Sequence, residues 1–302
     1  MRTGRTVRRR MQRSVVSAFD PDAGDRGPVA LGRLAAEVLA ARLLVVAVRP
    51  GGTVPERLAR LEHGTDRAGI LARMRATLPA RGTELREVAA PSPAAGVHAV
   101  LAAERPLLAV LGSPRDAPHG TVRLGSTTGR LLDGAPCPVA IVPREHAPRS
   151  LGRLAVAVLP SPEGRAALRA AAGFAAAAAA ILHVVLVLAG TPGEDDARAI
   201  AHELAPDAGD AGGAHDATGI LLPAITAAVP RGSAVHSTIL VGDPVEALLR
   251  ASQGADALFL GSRAYGPPHA VHAGGVARRI LDAARCPVVI VPRDEEVARA
   301  RD

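Results

Sequence analysis

The chain has 302 residues, a length for about two domains of ~150 residues, and its 48% apolar content is ample for two buried cores. Aromatic residues are only 1%, so Leu, Val, Ile and Ala must build those cores, and single-strand nucleic-acid binding by stacking on rings is disfavoured. The net charge of +7 would suit a polyanionic partner, but all 36 basic residues are Arg and they are dispersed outside one cluster, so the charge alone names no ligand.

That cluster is Arg2, Arg5, Arg8, Arg9, Arg10 and Arg13, read as a disordered basic tail over residues 1–13, with nucleic-acid or membrane attachment as the minority reading. Only the short stretch 15–19 follows the basic residues before Asp20, too short for the apolar region of a signal peptide. Residues 14–19 predict a first strand, ended by the Pro/Asp/Gly-rich turn 21–27. A helix over about 29–41 and a strand over 43–48 follow. Pro50-Gly51-Gly52 breaks the chain before a helix over about 55–78. A strand over 85–89, a helix to Glu104, a strand over 107–111 ending at Gly112, a short helix from Gly125-Ser126 and a last strand over 139–142 complete the first half. Several of these strands are apolar without alternation, the pattern of a parallel sheet covered on both faces by helices.

The second half repeats this plan. Strands are expected over 154–159, 182–188, 235–241 and 258–260, with a helix over 162–180. Residues 190–216 read as longer and looser than their counterpart, with an exposed low-complexity loop over 207–213. The apolar stretch 170–190 mimics a membrane span but reads better as a helix running into a buried strand; the chain is expected to be soluble, with no membrane partner.

The two halves also share sequence. Gly112-Ser113, Gly125, Leu132-Asp133, Cys137-Pro138-Val139 and 141–144 recur as Gly261-Ser262, Gly274, Leu281-Asp282, Cys286-Pro287-Val288 and 290–293, every pair 149 positions apart. A period this long is a whole domain and not a solenoid unit of roughly 20–50 residues. The expected division is 14–145 and 151–294, with a charged tail at 295–302. Cys137 and Cys286 hold the same place in each copy, which predicts two small buried thiols in a reducing compartment and no disulfide between them.

In an open parallel sheet, ligands sit beyond the carboxyl ends of the strands. Asp20 and Val48 close the first two strands, and Gly112 opens a loop that ends at Gly125-Ser126 on a helix. Gly lets main-chain N–H groups approach a phosphate, a helix start adds donors, and an Asp can grip a nucleoside hydroxyl or amine. The alternative is ordinary turn and cap chemistry.

These residues resemble the universal stress protein family in its tandem two-domain form. Its nucleotide-binding members carry an Asp closing the first strand, a Val 28 residues on, Gly-x2-Gly-x9-Gly-[Ser/Thr], and a "CPV" strand. Gly242-Asp243-Pro244 and Gly254-Ala255-Asp256 also match family signatures. The resemblance implies two tandem doubly wound α/β domains, each with a five-stranded, mostly parallel sheet, packed as an internal pseudo-dimer through strands 139–142 and 288–291, with a homodimer as a further possibility. It implies a cytoplasmic stress-response module binding ATP or another adenine nucleotide in the first domain through Asp20, Val48, Gly112, Arg115, Gly125 and Ser126. Arg115 departs from the family by replacing the middle Gly, either obstructing the phosphate path or pairing with phosphate. The second domain is the degenerate equivalent: Leu159 replaces the Asp, Ala264 the middle Gly and Gly275 the Ser, while Val187, Gly261 and Gly274 are kept.

Other chemistry lacks support. His269 and His272 have metal-like spacing but no third ligand, and no metal is expected. Ser126 and Ser161 have no His or acid at a recognisable spacing. Glu163 and Arg165 read as helix decoration, and without Lys there is no Walker-type loop. The runner-up is a non-nucleotide-binding interaction or structural module. Weak ATP hydrolysis ranks third.

Overall fold

The computed structural model of the chain describes residues 13–51, 66–207, 215–229, 234–262 and 270–293. The N-terminal half runs β1 (Ser14–Ala18), α1 (Gly27–Val38), β2 (Arg42–Pro50), α2 (Arg67–Thr77), β3 (Thr83–Ala90), α3 (Pro93–Glu104), β4 (Leu108–Gly112), α4 (Ser126–Leu132) and β5 (Val139–Val142). The C-terminal half runs β6 (Arg153–Val158), α5 (Pro162–Ala178), β7 (Ile181–Leu188), α6 (Glu194–Leu204), α7 (Ala217–Ala227), β8 (Ala234–Val241), α8 (Pro244–Ala251), β9 (Ala257–Gly261), α9 (Gly275–Leu281) and β10 (Val288–Val291).

Helix starts follow from cap chemistry. Ser92, Ser161 and Asp243 each precede a proline and accept a first-turn amide, from Ala95 at 3.2 Å, Gly164 at 3.1 Å and Val245 at 2.9 Å. Proline fits there because its missing N–H would have no helical partner. Asp25 does more than start α1. One carboxylate oxygen accepts the Gly27 amide at 2.8 Å and the other accepts the Glu145 amide at 3.2 Å, so it ties the helix to the segment after β5.

All ten strands form one sheet in the order β3-β2-β1-β4-β5-β10-β9-β6-β7-β8. Pairing is parallel within each half, and only β5 and β10 pair antiparallel. Two five-stranded sheets thus become one, as the final strands cover each other's edges. In that junction Ala140 lies opposite its own repeat counterpart Val289, so an internal two-fold axis passes between them. The same axis relates two backbone hydrogen bonds: Val122 N–H donates to the Ala284 carbonyl at 2.8 Å, and Val271 N–H to the Ala135 carbonyl at 3.0 Å. The loop after the fourth strand in each half is therefore held by the other half.

One apolar layer packs α1, α2, α5, α6 and α7 on one face of the sheet, and a second packs α3, α4, α8 and α9 on the other. Every residue of β5 and β10 is buried. The apolar stretch 170–190 is the end of α5 and all of β7, and no helix among the described residues is long and apolar enough to cross a membrane. Cys137 and Cys286 are buried and reduced. Burial pushes the Cys286 thiol up to about 11.

Residues 194–204, inside the stretch expected to be loose, form a helix. This is α6, whose first turn carries Glu194, Asp195 and Asp196 where acidic side chains favour a helix start. Residues 208–214, most of the expected loop, lie outside the described residues, as do both tails (1–12 and 294–302) and most of the first part of the helix expected over 55–78.

Candidate functional site

The carboxyl ends of β1, β2 and β4 bring Asp20, Val48 and Gly112 to one end of the N-terminal half, where the loop from Gly112 returns to Gly125 and Ser126 at the start of α4. Asp20 is exposed and its Oδ1 accepts the Asp22 amide at 3.0 Å. Its Oδ2 lies 3.7 Å from Nη2 of Arg115, which is also 3.9 Å from Asp22 Oδ2. The Arg115 guanidinium therefore reaches across to the first strand's end and pairs with the acid that follows it.

Val48 is engaged as well. Its carbonyl accepts a hydrogen bond from Arg67 Nη2 at 2.8 Å, and its side chain is buried under α3, where a Cβ on Gly96 would come within 2.7 Å of a Val48 methyl. Sequence reasoning missed Arg67. A long side chain reaching back nineteen residues from the start of α2 leaves no spacing signal.

The glycines serve packing in addition to any ligand role. A Cβ on Gly112 would meet Pro28 Cγ at 3.0 Å, and one on Gly125 would meet Pro114 Cβ at 3.0 Å. In the C-terminal half a Cβ on Gly261 would meet the Glu163 carbonyl at 2.7 Å. In both halves the first turn of the first helix thus approaches the fourth strand's final glycine. The loop has internal ties too. The buried Ser113 hydroxyl donates to the Val142 carbonyl at 2.8 Å and accepts the Arg123 amide at 3.1 Å, and Thr128 donates to the Gly112 carbonyl at 3.0 Å. Ser126 is exposed at the first position of α4, behind the cap residue Gly125.

Next to this end lies a cleft of about 410 Å³ between the start of α1, the loop after β4 and residues 144–147. It takes in Ser113, Pro114 and Arg115 but not Asp20, Val48, Gly125 or Ser126. Asp25 already occupies the α1 amide there, which disfavours an added anion.

The C-terminal half presents a different mouth. Leu159, at the position of Asp20, is 55% exposed beyond β6, and Val187 is partly buried near the end of β7. Gly274 caps α9, and a Cβ on Gly275 would meet nothing within 4 Å. Ala264 and His269 lie outside the described residues. His272 lies 3.9 Å from Asp133 of the other half, and among the described residues no cluster of three His, Cys, Asp or Glu could hold a metal. Glu163 and Arg165 do not act on each other: buried Glu163 pairs with Arg293 at 3.7 Å, and Arg165 donates to the Glu203 carbonyl at the end of α6. Ser161 is a helix cap.

A family model described as "Universal stress protein family" matches residues 11–143 and again 151–292. Among solved structures, a universal stress protein from Archaeoglobus fulgidus DSM 4304 is similar at 17% identity and a TM-score of 0.61, over 94% of this chain and 97% of that one. A functionally unknown protein from Pseudomonas aeruginosa PAO1 is similar at 20% identity and a TM-score of 0.64, over 95% and 94% of the two chains. At such identities the likeness is one of fold. No curated relative matches the chain.

Proposed function

The chain belongs to the universal stress protein family, and on that premise we propose that it is a non-enzymatic, cytoplasmic stress-response module whose N-terminal half takes an adenine nucleotide while the C-terminal half serves as its scaffold. The observation that carries this reading is the asymmetry of the two mouths. Asp20 is retained and exposed, with one carboxylate oxygen on the Asp22 amide and the other near an exposed arginine, whereas Leu159 offers no polar handle at the matching position. Asp20 would grip the nucleoside once Arg115 lets go, with Val48 beside the base and Gly112, Gly125 and Ser126 along the phosphates.

The second reading is a pure interaction module. It is favoured by the protein's own groups already on the site: Pro28 against Gly112, Pro114 against Gly125 and Arg67 on the Val48 carbonyl. Hydrolysis ranks behind both, because Asp20 and Asp22, the carboxylates at the end of β1, are paired with Arg115 and so poorly placed to activate water.

Titration calorimetry with ATP on the wild type and on Asp20→Ala separates the readings. Heat in the wild type that disappears in the variant supports nucleotide binding. No heat and no thermal shift in the wild type leaves the interaction module. Phosphate released steadily above a Gly125→Val control would make the protein an enzyme.

A further inference from the structure

We propose that β8 is a self-association edge, through which two copies of this chain pair their sheets antiparallel about a two-fold axis. The ten-stranded sheet ends in two edges, β3 and β8. They are finished in opposite ways. The β3 edge carries Glu84, Arg86 and Glu87, and its charges are knitted to neighbours: Glu84 pairs with Arg42 at 3.1 Å and Arg86 at 2.8 Å, and Arg86 pairs with Glu104 at 2.9 Å. Charges on an edge strand keep other strands away.

The β8 edge has no such border. Its eight residues, Ala-Val-His-Ser-Thr-Ile-Leu-Val, include no acid and no Lys or Arg, and none of them is buried. Four large apolar side chains stand exposed among the described residues, and two of them flank this edge. Val241 closes β8 at 56% exposure, and Ile181, which pairs with Ala234 at the strand's other end, is 53% exposed. Among the described residues only β7 pairs with this eight-residue strand, and an open edge of that kind is a template for another strand.

The occupant that fits is a second copy. Within the chain the inner edges β5 and β10 are closed by antiparallel pairing about a two-fold axis, so this fold already satisfies an apolar edge with its own kind. An axis through Ser237 or Thr238 would set β8 against β8 with no like charges opposed, and such an isologous contact closes on itself as a dimer. The charged β3 edge is unsuited to join β8 head to tail, so an open filament is not expected.

The test is sedimentation or light scattering of the full chain at about 50 µM, against the double variant His236→Glu/Val241→Glu. Both positions are exposed, and with either axis the change places an acid of one copy within two residues of an acid of the other. The expected result is twice the chain mass of 30.8 kDa for the wild type and the single-chain mass for the variant, with unchanged circular dichroism. A monomeric wild type overturns the proposal, as does a dimer that the acids leave intact or an assembly that grows without limit. Should the double variant misfold, Ser237→Cys with a short bis-maleimide decides: a cross-linked dimer supports the edge, and a thiol that labels but never cross-links refutes it.

Discussion

Arg115→Gly tests how the proposed nucleotide mouth is held. In the folded chain the Arg115 guanidinium lies 3.7 Å from Asp20 and 3.9 Å from Asp22, with more than half of the Arg115 and Asp20 side chains exposed. Exposed pairs of this kind contribute about 0.2–1 kcal/mol each, so freeing Asp20 costs a nucleotide at most about 2 kcal/mol. At about 1.4 kcal/mol per factor of ten, removing the arginine should tighten ATP binding by roughly 2- to 30-fold. The gain should shrink as salt rises, because salt screens the very pair that competes with the ligand. Calorimetric titrations of wild type and variant at about 0.05 M and 0.5 M NaCl measure both effects. If Arg115→Gly binds ATP more weakly than the wild type, the guanidinium is a phosphate ligand and the latch reasoning is wrong. A gain that does not change with salt would also refute it, because then some other strain was removed.

Three further outcomes follow from the packing and the charges. Gly164→Ala in α5 would place a Cβ 2.1 Å from the Leu159 carbonyl oxygen and 2.6 Å from its nitrogen, and backbone cannot yield; we expect about 3 kcal/mol or more of lost stability in a denaturant melt, against almost no change for Gly190→Ala, where nothing lies within 4 Å. The Cys286 thiol, pushed up to about 11 mainly by burial, should be overwhelmingly protonated at pH 8 and label with iodoacetamide far more slowly in the native chain than in urea; equal rates would contradict its burial. The hydrogen bond from Arg86, then the charges of Arg86 and Arg42, lower the Glu84 pKa; Glu104, which burial alone would raise, is lowered by the same two arginines. Because both folded-state values are depressed, the stabilisation is complete above the ordinary value of 4.5 and is lost as pH falls through the folded values. An Arg86→Ala chain should therefore lose less stability than the wild type between pH 5 and strongly acid solution, as read from urea midpoints.

Much of the architecture was legible because it is written in local chemistry. The apolar run at 139–142 and its repeat predict the junction strands, and Ser-Pro and Asp-Pro steps mark where α3, α5 and α8 begin. Helix α6 was not legible, since its Gly- and Pro-bearing entrance at 190–193 resembles a loop and its few apolar residues find their purpose only against α7 and the sheet. The site was legible as a set of positions but not as a state. Spacing brings Asp20, Val48 and Gly112 to one end of the sheet; nothing in spacing says that Arg115 and Arg67 will reach back across it. Long flexible side chains choose partners in three dimensions. The proline contacts on Gly112 and Gly125 were hidden for the same reason.

The paired bonds from Val122 to Ala284 and from Val271 to Ala135 tie the fate of each half to its twin. Cutting the chain in two would leave each fragment with a loop whose anchor had gone, so neither fragment should keep a well-shaped mouth. In the function proposed above, the same tie lets the C-terminal half act as scaffold whatever stands at Leu159, while damage at the turn around Ala284 would be felt on the far side of the axis.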